Sequence, residues 1–265
     1  MIPHVHTQYF GTGSRPVLAI HCSLAHGGAW RGLGAVLSDM ATLHAFDLPC
    51  HGQSGDWDGQ GDMHDVATAM ALNVLDGIGT GPVDVIGHSF GATVALRLAV
   101  MHPARVRSLV MFEPVYFAPA MADDPGFASA YARDTASFDA AFDAGDREGA
   151  ARAFNALWGN RIGWSDIPAS TRDYMIKRIG FVRASAPFLI EDSAGLLAEG
   201  RFAGAHMPVL ALRGAHSPWA EDVSGAIVRR LPNARDKVLA GMGHMAPITH
   251  PDAVAAEVRA FLTGT

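Results

Sequence analysis

At 265 residues, 49% of them hydrophobic, the chain is long enough to bury a central sheet under helices as one α/β domain with an insertion. Its formal charge of -6, with no basic run, argues against a sequence-independent nucleic-acid binder. The segment Met1 to Thr7 has neither a basic stretch nor an apolar core, no apolar run approaches the roughly 20 residues of a membrane helix, and two cysteines are too few for a disulfide scaffold; the expectation is a soluble cytoplasmic protein with no membrane and no nucleic-acid partner.

Short apolar runs alternate with longer helical patterns, which predicts βαβ units and a mostly parallel central sheet with helices on both faces. The first buried strand is Val17 to Ile20, after the turn signal Gly11-Thr12-Gly13. Trp30 to Met40 reads as a helix, and Thr42 to Phe46 as a strand ending at Asp47. Met63 to Ile78 carries Val66, Met70, Val74 and Ile78 at helical spacing. A strand Val83 to Ile86, a helix Phe90 to Met101 closed by His102-Pro103, and a strand Val106 to Phe112 follow. From about Tyr116 to Met207 the buried strand runs disappear, and Phe138/Phe142 and Phe154/Trp158 at i,i+4 suit helices with one apolar face. The pattern then resumes with Pro208 to Leu212, a helix from about Pro218 to Leu231, Lys237 to Leu239 and a helix Asp252 to Leu262. The expected division is a core of residues 1–115 and 208–265, with a helical cap over 116–207.

Gly87-His88-Ser89-Phe90-Gly91 lies directly after a predicted strand and before a predicted helix. A G-x-S-x-G sequence in that context makes a sharp turn that lifts the serine above the sheet, beside the N–H groups of the helix start. A hydroxyl needs a base. Among thirteen histidines, His244 stands out on the glycine-rich loop Gly241-Met242-Gly243-His244, between the last strand and the last helix; His250, one turn on, is the second candidate.

These motifs resemble the α/β-hydrolase family, in the group with a helical cap. His21-Cys22-Ser23-Leu24 stands where that family usually has His-Gly and an oxyanion-hole residue, and Asp47-Leu48-Pro49-Cys50-His51-Gly52-Gln53-Ser54 is similar to its D-x-P-G-x-G-x-S loop. The resemblance implies a Ser-acid-His triad with Ser89 as nucleophile and His244 as base, and an oxyanion hole of the Ser23 and Phe90 N–H groups, with Leu24 the alternative to Ser23. It also implies that Leu24, His88 and the cap residue Trp158 face the substrate, while Trp30 packs. Two departures stand out. Ser217 occupies the place of the usual triad acid, so the acid is assigned to Glu113, at the end of the strand after the nucleophile helix; Asp222, Glu221 or no protein acid are the alternatives. Cys22 and Cys50 replace two glycines, either as packed free thiols or as a redox-sensitive pair.

The function so implied is a serine hydrolase of a carboxylic ester or related acyl substrate, with no metal or organic cofactor. The cap aromatics suggest an apolar or aromatic small-molecule substrate, although most of them suit helix packing. A carbon–carbon bond hydrolase or lactonase would use the same triad, and a non-catalytic ligand receptor is the reading that a missing acid would favour. Dehalogenase and epoxide-hydrolase chemistry need Asp at position 89. Oligomeric state is open.

Overall fold

The alternation of short buried runs with amphipathic ones carries into three dimensions in the computed structural model of the chain, which describes residues 2–159 and 162–265. The first part runs β1 (Thr7–Phe10), β2 (Arg15–Ile20), α1 (Arg31–Val36), β3 (Ala41–Phe46), α2 (Met63–Ile78), β4 (Val83–His88), α3 (Phe90–Met101) and β5 (Val106–Phe112). Among the described residues six helices follow with no strand between them: α4 (Ala118–Asp123), α5 (Pro125–Asp143), α6 (Arg147–Trp158), α7 (Ala169–Arg178), α8 (Gly180–Ala184) and α9 (Ala186–Glu191). The chain then completes the sheet with β6 (Val209–Gly214), α10 (Ala220–Val228), β7 (Ala234–Leu239), α11 (Ala246–Thr249) and α12 (Pro251–Thr263).

Among the described residues the strands form one sheet ordered β1-β3-β2-β4-β5-β6-β7. β1 is antiparallel to β3, and every other pairing is parallel. Because side chains alternate across a strand, Leu18 and Ile20 join the core under α2, α3 and α10, while Val17 and Ala19 join the opposite core under α1 and α12. All six residues of β4 are buried, as a central strand covered on both faces requires. β3 and β4 leave β2 on opposite sides, so the strand order reverses between β2 and β4, and crevices for ligands open beyond the carboxyl ends of strands at such a point.

The structure departs from the sequence reading at the edges. β1 had no expected counterpart; its four residues lack a buried face and take their pairing from β3. The helix expected over Trp30 to Met40 is a 3₁₀ turn over Gly27–Trp30 followed by the short α1, which contains Gly32 and Gly34. β7 begins at Ala234 rather than Lys237, because this edge strand exposes Arg235 to Val238 and shows little apolar patterning. Over the carboxyl ends of the strands, α5, α6 and the junction of α7 and α8 form a small separate core of Phe138, Ala150, Ala151 and Ile179, and Phe138 stacks on Phe142 one turn further along α5. No helix among the described residues is long and apolar enough to cross a membrane.

Candidate active site

β4 ends at His88, and the next residue takes φ 55° and ψ -118°, a conformation that side-chain-bearing residues rarely adopt. This is Ser89, fixed by its N–H bond to Phe112 O at 2.9 Å. Both motif glycines are there for clearance: a Cβ on Gly91 would sit 2.2 Å from Ile20 O, and one on Gly87 would sit 2.4 Å from Gly91 O. Strand, turn and helix can close up only without those side chains, and the closure leaves Ser89 facing the space under the cap helices.

Glu113 follows β5 with φ 45°, held by its N–H bond to Leu212 O at 2.9 Å. Its Oε2 lies 2.7 Å from His244 Nδ1, and both side chains are buried. Its Oε1 accepts from Gly214 N at 2.6 Å and from Ser217 Oγ at 2.7 Å. The loop that lacks an acid thus supplies a hydroxyl to hold one that arrives from the neighbouring strand. Glu221 and Asp222 stand exposed on the first turn of α10 and make no contact with His244. His250 is exposed and bonded to Thr249 Oγ1. With the carboxylate on Nδ1, His244 carries its proton there and leaves Nε2 as the basic nitrogen.

His88 is not a substrate contact by position. It is buried, donates Nε2–H to His244 O at 2.7 Å, and lines neither of the cavities at Ser89. Burial, then the neighbouring His244, keeps it neutral well below the usual histidine range. It anchors the backbone of the base. Trp158, from α6, places its ring 4.5 Å from that of His244 and lines both cavities.

The loop after β2 carries the second set of donors. Leu24 has φ 60°, and its N–H donates to His51 Nε2 at 3.0 Å, so it cannot also serve an oxyanion. The N–H groups of Ser23 and Phe90 have no protein acceptor among the described residues. His51 in turn donates Nδ1–H to Pro49 O, while His21 accepts from Leu48 N and donates to Cys22 O. These bonds need both imidazoles neutral; burial holds His51 well below its usual value and lowers His21 to about 4. Asp47 staples the same region, accepting from Gly27 N at 2.6 Å and Gln53 N at 2.8 Å. From α7, Tyr174 donates to Ala25 O and accepts from Gly52 N. His51 lies inside a motif whose sequence signal is its glycines and Asp47, and Tyr174 carries no sequence signal.

The two cysteines are free and sit in different surroundings. Buried Cys22 lines the cavity at Ser89 with its thiol pushed up to about 12 by burial, whereas Cys50 accepts from Trp57 N and faces a separate surface hollow. Nothing pairs them. Trp30 is fully buried packing, as expected.

Two cavities meet at Ser89. The larger, about 340 Å³, is lined by Ser23, Leu24, Ser89, Trp158, His244 and Met175 among others. The smaller, about 110 Å³, also touches Ser23, Ser89 and Trp158 but extends to Tyr131, Phe138 and Leu157. Leu24 thus borders the larger cavity and Trp158 borders both.

A family model described as the alpha/beta hydrolase fold matches residues 15–251. Among curated proteins, the chain is 39% identical over 115 residues to lipase LipV of Mycobacterium tuberculosis, covering 43% of each. It is 36% identical over 107 residues to the pimeloyl-[acyl-carrier protein] methyl ester esterase of Nitrosomonas europaea, covering 40% of each. The aligned stretches thus span about two-fifths of these relatives. Among solved structures, the enol-lactonase from Burkholderia xenovorans LB400 superposes with a TM-score of 0.71 at 18% identity, covering 98% of this chain and 97% of that one; at that identity the likeness is one of fold.

Proposed function

The chain belongs to the α/β-hydrolase family, and from that membership we propose that it is a serine hydrolase of carboxylic esters, working through Ser89, His244 and Glu113. The observation that carries the reading is the buried His244–Glu113 bond at 2.7 Å beside a cavity that Ser89 and His244 both line. In this scheme His244 Nε2 takes the Ser89 proton as Oγ attacks the ester carbonyl. The Ser23 and Phe90 N–H groups stabilise the oxyanion, each contributing about 3 kcal/mol to the transition state. The tetrahedral intermediate collapses as His244 returns the proton to the leaving alcohol. Water then repeats the sequence on the acyl-enzyme and releases the acid. Glu113 holds the tautomer and stabilises the transient imidazolium.

The ester reading draws on the lipase and the methyl ester esterase among the curated relatives, while the 2-hydroxymuconate semialdehyde hydrolases among them favour a carbon–carbon bond hydrolase as the second reading; the mainly apolar lining of both cavities suits an apolar substrate in either case. A cytoplasmic location belongs to the same reading and fits two free thiols. The test is turnover of p-nitrophenyl acetate by the wild type and by Ser89→Ala. Wild-type turnover that the variant lacks supports the reading. Equal rates, or none in either protein, count against it.

A further inference from the structure

Resting on that reading, we infer that Ser89 stands between an acyl chamber and a leaving-group chamber, so that the protein takes esters of short apolar acids with bulkier alcohols. The two cavities at Ser89 share Ser23, Phe154 and Trp158, but only the larger one is lined by His244. The proton that His244 returns must reach the departing oxygen, which places the leaving group on the His244 side. The acyl group then extends to the other side of Ser89, into the smaller cavity.

Size and polarity set the limits. An engineered cavity of about 150 Å³ holds a benzene ring, so the chamber of about 110 Å³ takes an acyl chain of about four carbons at similar filling. Its walls include Val115, Leu157, Val182 and Leu189, with Phe117, Tyr131, Trp158 and Trp219 packed edge and face along one side. Asp139 and Arg183, paired at 2.6 Å and half exposed, also border it, with Thr135 donating to Asp139. A longer apolar chain would have to crowd that ion pair and strip its water, which is costly without compensating bonds. The larger chamber, about three times the volume, has Leu24, Ile167, Met175 and Met245 as apolar surface for an aryl or extended alcohol. A methyl ester of a long acid presents its bulk to the wrong side.

The test is kcat/KM on p-nitrophenyl acetate, butyrate and octanoate, which share a leaving group, together with phenyl and 2-naphthyl acetate, which share an acyl group. The expected result is at least a tenfold fall from butyrate to octanoate, with 2-naphthyl acetate turned over at least as well as phenyl acetate. Leu157→Ala, or Val182→Ala should the first variant fold poorly, should narrow the butyrate-to-octanoate gap at least threefold without changing the naphthyl-to-phenyl ratio. Met175→Trp should lower that ratio and leave the acyl profile intact. Octanoate turned over as fast as butyrate by the wild type, or Leu157→Ala acting on the alcohol range instead, overturns the chamber assignment while leaving the hydrolase reading standing. No turnover of any of these esters contradicts the hydrolase reading itself, and the chamber assignment with it.

Discussion

His244 Nδ1 and Glu113 Oε2 stand 2.7 Å apart, although 131 residues separate them in the chain. The fold makes the meeting by parallel pairing: β5 delivers Glu113 beside β6, whose last residue offers Gly214 N and whose following loop offers Ser217 Oγ to fix the other carboxylate oxygen. Every acceptor position used by the carboxylate is matched by a donor. A buried carboxylate in such a setting orients its histidine without needing solvent.

Replacing Glu113 with Gln keeps the shape and removes the charge. The amide can present its NH₂ to His244 and favour the wrong tautomer, so kcat on p-nitrophenyl acetate should fall by about 10⁴ with the fold intact by circular dichroism. Asp222→Asn should stay within a factor of about two of wild type, since an exposed carboxylate away from His244 does not bear on the step. The reverse pattern would move the acid to α10.

Ser217 supplies a sharper version of the same question. Its hydroxyl is 2.7 Å from the carboxylate that orients His244, so an Asp introduced there lies within reach of the imidazole. The double variant Glu113→Gln with Ser217→Asp should recover at least tenfold over Glu113→Gln alone. Ser217→Asp by itself should lose activity, because two carboxylates would then crowd one buried site. Steady-state kinetics of the three variants decides this, and a double variant no better than the single one would show that charge at this site is not interchangeable.

His51→Ala removes the acceptor that holds Leu24 N–H at 3.0 Å. Freed, the loop bearing Ser23 loses its fixed register, and kcat should fall by about tenfold, equivalent to about 1.4 kcal/mol, while KM changes little because His51 lines neither cavity at Ser89. A large rise in KM with kcat preserved would instead make His51 part of substrate binding.

Acid should destabilise the protein earlier than its carboxylates alone require. His21, His51, His64 and His88 are each kept neutral by burial, with folded pKa values below the ordinary 6.5. The unfolded chain therefore binds more protons below that value, and stability that is complete above about pH 6.5 is lost as pH falls, His21 completing its share near 4. His21 alone corresponds to about 3 kcal/mol across that window. Urea unfolding at pH 7.5, 6 and 5 should show a progressive fall in midpoint. A flat profile over that range would mean that these imidazoles titrate in the fold as they do in the unfolded chain.

The sequence made some of this legible and hid the rest for physical reasons. The turn at Ser89 and the loop at His244 were readable because a G-x-S-x-G turn needs glycines at fixed offsets and a glycine-rich loop stands out after a strand. The central strands were readable because full burial leaves continuous apolar runs, as in Val106 to Phe112. Glu113 could be inferred only from the gap at Ser217, and its donors Gly214 and Ser217 became visible only with the register of β5 on β6. His88 was misplaced because adjacency to Ser89 in sequence says nothing of direction: as the last residue of β4 its side chain turns to His244 O. Tyr174 and the division of the site into two cavities depend on how helices cross, which local spacing does not encode.

Nucleophilic attack by Ser89 is tested by covalent labelling: incubation with a fluorophosphonate probe, digestion, and mass spectrometry of the peptide containing Ser89. A Ser89 nucleophile activated by His244 predicts stoichiometric phosphonylation at Ser89 in the wild type, a rate at least a hundredfold lower in His244→Ala, and no adduct in Ser89→Ala. An unmodified Ser89 in active protein, or an adduct on another residue that forms equally fast in His244→Ala, would contradict it.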